Sequence, residues 1–303
     1  MEPHKPHEPH RQELPAESRF HPGWRLLLFL ILFFFSLLAV SGIASLFLHE
    51  FSVAGEVGML AATTALATWL ATRFLERRSF LTVGLAMQRK SLAEIGFGVG
   101  GGILLVLGVT LVEWGIGAIR FQSSGVPLAA GLAHLPAVTL LLLVGASAEE
   151  VLFRGYPFQR LVEASNPFLA VAITSAIFGF LHARNPHATD LSVLNTVLAG
   201  VLFSLAYLRT RALWLPIGLH FSWNWTLLVF GHPVSGLVVA RMPWKVLPAS
   251  DQFWLHGGAY GPEASAVATV ALAAGTLYLG IGMRKTTQHS RLGEVPPPPS
   301  NSP

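Results

Sequence analysis

The feature that most restricts the fold of this chain is its succession of long apolar runs, the most extreme being "WRLLLFLILFFFSLLAVSGIASLFL" at residues 24–48. A helix needs about 20 apolar residues to cross the roughly 30 Å hydrocarbon layer of a bilayer. Inside that layer only a helix or a closed barrel satisfies its own backbone polar groups. The run is too long for the apolar part of a cleaved leader, so it reads as a retained helix. Seven more runs follow, at about 52–72, 93–115, 133–153, 166–182, 190–208, 212–230 and 264–283. With 52% hydrophobic and 12% charged residues, the composition lies outside the soluble range. The expectation is an all-α polytopic membrane protein of about eight transmembrane helices.

The flanks divide the chain. Residues 1–23 are polar and Pro-rich and cannot bury a core, and "RLGEVPPPPSNSP" closes the chain in the same way. We therefore expect a disordered tail over 1–23, a transmembrane domain over 24–283 and a second tail over 284–303. The repeat of His4, His7 and His10 in the first tail holds no fixed metal geometry between prolines. Basic residues set orientation. Lys5, Arg11, Arg19 and Arg25, the 73–91 connection with Arg73, Arg77, Arg78, Arg89 and Lys90, and Arg284, Lys285 and Arg291 fall on one side of eight alternating spans. Arg160, Arg209 and Arg211 join them there, which predicts cytoplasmic termini in the cell membrane. The opposite side receives the 231–262 loop, rich in Gly, Pro and Trp, which suits an interfacial lid or a long turn.

Composition also excludes chemistry. With no cysteine there is no disulfide, thiolate metal site or cysteine nucleophile. The net charge of +4 lies in short clusters between apolar runs, as topology signals do, so nucleic acid is not an expected partner. The zinc-protease spacing HExxH is absent, and the two aspartates, Asp190 and Asp251, lie outside the spans.

Few acids lie inside the spans: Glu113, the adjacent pair Glu149 and Glu150 in "SAEEVLFRGY", and Glu56 nearer an interface. An ionised carboxylate there is costly and marks a candidate site. Helical phase separates the pair, because Glu150 stands about 40° from Arg154 and Glu149 about 140° from it. Glu150 is thus the partner of Arg154 in a structural ion pair. Glu149 has no local counter-charge and is the candidate general base. If "ASNP" at 164–167 is a turn and the fourth helix runs on to about 162, Glu149 and His182 both stand roughly 25 Å from it. Pro157 is the place where such an extension would kink. His220 and Asn224, four apart, project from one face of the seventh span. They suit stabilisation of an oxyanion, or simply tie helices together.

Three patterns, "EEVLFR", "FGFLH" and "HFSWN", occur in that order on successive apolar helices. Together they resemble the EExxxR, FxxxH and HxxxN motifs of the CAAX-protease and bacteriocin-processing (CPBP) family, which includes the type II CAAX prenyl endopeptidases. The resemblance spans about residues 133–230, and "FGHPVSG" and "GGAYGPE" are similar to segments of some bacterial members. It implies an intramembrane glutamic endopeptidase with its site in the core of helices four to seven. Glu149 would activate water with His182 assisting, His220 and Asn224 would stabilise the oxyanion, and Glu150 and Arg154 would support. It implies a membrane-associated peptide or protein substrate and no cofactor or metal.

Other readings use the same residues. Glu149, His182 and His220 have the donors of a zinc site. Ser147 with His220 would be a nucleophile and base. Buried Glu and His also serve transporters, although no internal symmetry between the halves is visible, and a non-catalytic scaffold would keep the pocket as a remnant.

Overall fold

The computed structural model describes residues 21–47 and 52–292, with side chains to residue 281. The expected tails, apart from their inner boundaries, and the His4, His7 and His10 repeat lie outside the described residues. Each of the eight apolar runs is a helix: α1 (Pro22–Ser45), α2 (Val53–Leu70), α3 (Ser91–Gly115), α4 (Leu128–Arg154), α6 (Pro167–His182), α7 (Asp190–Thr210), α8 (Trp214–Val229) and α10 (Ala266–Leu292). Between them lie α5 (Tyr156–Ala164) and the single turn α9 (Phe253–His256). Among the described residues five helical segments are long and apolar enough to cross a membrane, while α6 and the first part of α10 are shorter apolar helices. The fold is that of an all-α polytopic membrane protein.

The structure adds to the sequence reading at three places, the first of them a correction. The fourth helix does not continue to residue 162. It stops at Arg154 and restarts one residue later as α5, with Pro157 in the first turn of the new helix. Pro157 lacks the N–H that would bond the carbonyl four residues back. Gly155 has left helical geometry at ψ −130°, where a Cβ would collide with the Val151 carbonyl oxygen. The boundary at residue 283 falls inside α10, which continues to Leu292. The 231–262 segment is more than an open turn: β2 (Trp244–Pro248) pairs antiparallel with β1 (Ile119–Ser123), from Ile119 opposite Pro248 to Ser123 opposite Trp244.

Two packing devices position the site. The first is the seam of α3 on α8, where the backbones nearly touch. A Cβ on Gly98 would lie 3.0 Å from the Gly218 Cα, and one on Gly102 would lie 2.6 Å from the Leu219 carbonyl oxygen. Small residues four apart allow this approach when both helices are otherwise apolar. The second is a polar knot at one end of the bundle. Arg25 of α1 bonds Glu76 at 2.9 Å and Glu163 at 3.0 Å, Arg160 of α5 reaches Glu76 at 3.1 Å, and the Tyr156 hydroxyl donates to Glu76 at 2.8 Å. Burial raises the Glu76 carboxyl, but Tyr156, Arg160 and Arg25 outweigh it and hold it below the usual range. The knot ties α1, α2 and α5 together, next to a core cluster that includes Phe29, Ala67, Phe158 and Tyr207.

Candidate active site

The site begins with the last turn of α4. Glu150 and Arg154, one turn apart, are both fully buried and paired at 3.1 Å. Arg154 spends its other donors on α7, giving one N–H to the Gly200 carbonyl at 2.9 Å and Nε–H to the Ser204 hydroxyl at 3.4 Å. Its charge rests over the faces of Phe178 and Phe203, at 4.8 and 5.4 Å from their centroids. This is the partnership that helical phase predicts. One contact was not legible in the sequence: Glu150 Oε1 also accepts from His220 Nδ1 at 2.8 Å. An ionised carboxylate has no proton to give, so Nδ1–H is the donor.

His220 is thereby fixed from three sides. Phe203 stacks on the ring at 4.9 Å and 15°, and Phe178 meets it edge-on at 6.1 Å and 89°. Its Nε2 points toward Glu149, with Oε2 3.8 Å away, a gap too long for a direct hydrogen bond. The second histidine is anchored in the same sense, since His182 Nδ1–H donates to the Phe178 carbonyl at 2.8 Å. Both rings therefore keep Nε2 for other partners. The phenylalanine that opens FxxxH has a physical role here. Phe178 touches Arg154, His220 and His182, and its carbonyl sets the His182 tautomer.

Glu149 has the opposite environment to its neighbour. Its side chain is about a quarter exposed, and it lines a cleft of about 320 Å³ together with His182, His220 and Asn224. The cleft walls are mostly apolar, with Val57 and Leu60 from α2, Leu141 and Phe153 near α4, and Leu181 and Val239 opposite, while Glu56 and Asn185 add polar edges. Helix α4 approaches α2 at Gly145, where a Cβ would make only ordinary contact with Val57, and α6 approaches α7 at Gly179. The structure thus brings Glu149, His182, His220 and Asn224 to one space and puts Glu150 and Arg154 behind it. Ser147 lines neither the cleft nor the small chamber beside it, and neither does Glu113, buried near the end of α3. Among the described residues no three His, Cys, Asp or Glu side chains are placed to hold a metal ion.

Sequence reasoning missed Glu263. This carboxylate stands in the short turn Pro262–Ala264 and borders the chamber with His182, His220 and Asn224. The available signal was a lone acid in the Gly-rich "GGAYGPE" directly before an apolar helix.

Comparison with known proteins covers the same part of the chain. Residues 129–226, which contain α4 to most of α8, match the family model described as type II CAAX prenyl endopeptidase Rce1-like. Through this core, about a third of its length, the chain is similar to the Rce1-like family. Two proteins of Bacillus subtilis (strain 168) are similar to it. "Uncharacterized protein YyaK" is 28% identical over 168 residues, covering 54% of this chain and 56% of that protein. "Putative membrane peptidase YdiL" is 37% identical over 94 residues, covering 30% of this chain and 36% of that protein. The chain spans about half the length, or less, of these relatives. The Rce1-like match begins and ends within the residues that build the cleft, so all six motif residues, Glu149, Glu150, Arg154, His182, His220 and Asn224, fall inside it.

Proposed function

We propose that this protein is an intramembrane endopeptidase that hydrolyses a peptide bond with water activated by Glu149. The observation that carries the reading is the division of labour between adjacent carboxylates. Glu150 is engaged by Arg154 and His220, whereas Glu149 has no hydrogen-bond partner for Oε2 and lies in a cleft beside two imidazoles and a carboxamide. The name of the YdiL relative and the description of the family support the same reaction class.

In this mechanism a peptide carbonyl sits between Glu149 and the His220–Asn224 face. Glu149 removes a proton from water, with His182 Nε2 helping to hold that water, and the oxygen attacks the carbonyl carbon. The oxyanion receives the Asn224 N–H and a proton-bearing Nε2 of His220. Because Nδ1–H already belongs to Glu150, a second N–H makes the His220 ring a cation, and Glu149 and Glu150 are its counter-charges. As the C–N bond breaks, the proton held by Glu149 passes to the leaving amine. The apolar walls suit a membrane-associated peptide or protein substrate. The basic connections support a reading with the chain in the cell membrane and both termini in the cytoplasm.

The test is cleavage of a membrane-protein library reconstituted in liposomes, comparing wild type with Glu149→Gln. Loss of the base should lower hydrolysis by about 10²- to 10⁴-fold while the protein still folds. Undiminished cleavage by Glu149→Gln would refute the assignment.

A further inference from the structure

A small space of about 30 Å³ adjoins the cleft, where His182, His220, Trp223, Asn224, Ser235 and Glu263 stand among apolar residues such as Phe178, Phe203 and Leu272. It exceeds the roughly 10–15 Å³ that one water requires, and its border offers several polar partners. Glu263 is the one wall residue from outside the Rce1-like match that carries a charge. Its carboxylate accepts from Trp223 Nε1–H at 3.1 Å, from the Ser235 hydroxyl at 3.3 Å and from the Ser235 backbone N–H.

These bonds connect the two halves of the site. Trp223 lies on α8 beside Asn224 and three residues after His220. Ser235 belongs to the segment after α8 and is held from its other side by Asn185, whose Nδ2–H donates to the Ser235 carbonyl at 3.1 Å. Asn185 follows His182 by three residues, and its own N–H bonds the His182 carbonyl at 3.0 Å. A path of hydrogen bonds therefore runs from the end of α6, through Ser235 and Glu263, to the catalytic face of α8. The carboxylate is itself fixed by the backbone around it. Asn195 of α7 donates to the Glu263 and Ser265 carbonyls, each at 2.9 Å, and the turn is entered through Gly261 at φ 97°. Burial raises the Glu263 carboxyl, while the Ser235 and Trp223 donors and the nearby His182 act in the opposite sense.

Position gives Glu263 a role beyond that of a tie. Glu149 and Glu263 border adjoining spaces that share His182, His220 and Asn224, while Glu150 lies behind them, paired with Arg154. Glu150 holds His220 from behind the reaction space, and Glu263 holds Trp223 and Ser235 at the chamber. We propose that Glu263 is a positioning residue of the hydrolytic site, fixing the spacing between the His182 side and the Asn224 side. The proposal rests on the endopeptidase reading above.

The experiment uses the full chain in liposomes and, as probe, the fluorogenic apolar peptide that wild type cleaves fastest from a defined pool. Wild type, Glu149→Gln, Glu263→Gln, Glu263→Asp and Asn185→Ala are compared for kcat, KM and unfolding temperature. Glu263→Gln keeps the volume but puts an NH₂ where a donor now points in, so one bond is lost and the charge is removed. Misplacement on the scale of 1 Å costs about 100-fold in rate, so a smaller shift should lower kcat about tenfold or more. KM should change little, the pattern of an interaction made only at the transition state. Glu263→Asp should recover part of kcat, because it keeps the charge. A purely structural tie would lower the unfolding temperature and leave kcat per folded molecule unchanged, and that result overturns the proposal. If Glu263→Gln does not fold, Glu263→Asp and Asn185→Ala decide: both should reduce kcat, and wild-type kcat in both overturns it. A dead Glu149→Gln beside a fully active Glu263→Gln removes only the role of Glu263. No cleavage by wild type, or full cleavage by Glu149→Gln, removes the endopeptidase reading and this proposal with it.

Discussion

Replacing Glu150 by glutamine should separate stability from chemistry at this site. In the folded protein Glu150 and Arg154 have no exposed surface and meet at 3.1 Å. Glutamine keeps the oxygen that His220 and Arg154 use but removes the charge and puts an NH₂ at the position of Oε2, which has no hydrogen-bond partner. The guanidinium then keeps the amide oxygen, the Gly200 carbonyl, the Ser204 hydroxyl and aromatic faces around it but loses its paired charge. Removing one partner of a buried ion pair costs about 3–5 kcal/mol. For a chain of this size each kcal/mol is about 2–4 °C, so the unfolding temperature in detergent should fall by about 6 °C or more. Adding Arg154→Met removes the orphaned charge and fills the aromatic pocket, since apolar replacement of a whole buried pair is often neutral or better. The double variant should regain most of the lost stability. It should not regain hydrolysis, because His220 Nδ1 would still lack an ionised acceptor. Unfolding curves and cleavage assays on the four proteins form a double-mutant cycle. Glu150→Gln unfolding within 1 °C of wild type, or recovered hydrolysis in the double variant, would refute the argument.

Two further outcomes follow from packing and charge. Gly102→Ala puts a Cβ against the Ser222 hydroxyl and 2.6 Å from the Leu219 carbonyl, so α8 must shift; overpacking of this kind costs about 1–3 kcal/mol and should lower hydrolysis as His220 and Asn224 move. Gly100→Ala on the same helix meets nothing within 4 Å and should be neutral or slightly stabilising, and equal losses in the two variants by thermal unfolding would contradict the seam. The Glu76 knot has a pH signature. Its carboxyl lies below the ordinary value of 4.5 in the fold, so its stabilisation is complete above that value and disappears as pH falls through the lower folded value. Glu76→Gln should therefore unfold below wild type at pH 7, with the gap closing as pH drops under 4.5. A gap that stays constant would assign the effect to packing.

The spans were legible because their signal is local: a run of about 20 apolar residues has one low-energy form in lipid. The partnership of Glu150 with Arg154 was legible for the same reason, since it depends only on the pitch of one helix. Non-local contacts left weaker traces. Strand β1 pairs with β2 across more than a hundred residues; "IRFQS" alternates only as far as Gln122 and "WKVLP" breaks its alternation at Leu247, so neither announces its partner. The break at Gly155 required knowing how far the glycine departs from helical geometry, and the prominent Pro157 lies two residues past it. The bond from His220 to Glu150 joins residues 70 apart. Glu263 was hidden because its neighbours in sequence describe a turn, whereas its partners lie on α8 and in the segment after it.

What the ion pair contributes to function does not reduce to its stability. If an apolar pair at positions 150 and 154 would serve the fold as well, the reason to keep charges there lies in what they do to His220. Arg154 pairs with Glu150, Glu150 takes Nδ1–H, and the imidazole then has one nitrogen left, aimed at the cleft. A neutral ring with Nδ1–H held by Glu150 shows a lone pair at Nε2, so it can donate to a developing oxyanion only as the imidazolium, for which Glu149 and Glu150 are the counter-charges. The second-layer carboxylate thus fixes which atom of His220 faces the substrate, much as outer partners fix the tautomer of a metal-bound histidine. Glu149, one residue away on α4, avoids this capture because the helix turns its side chain about 100° from that of Glu150. Under the proposed mechanism, adjacency in sequence and divergence in direction let one short segment supply both the base and the support for the group that receives the charge.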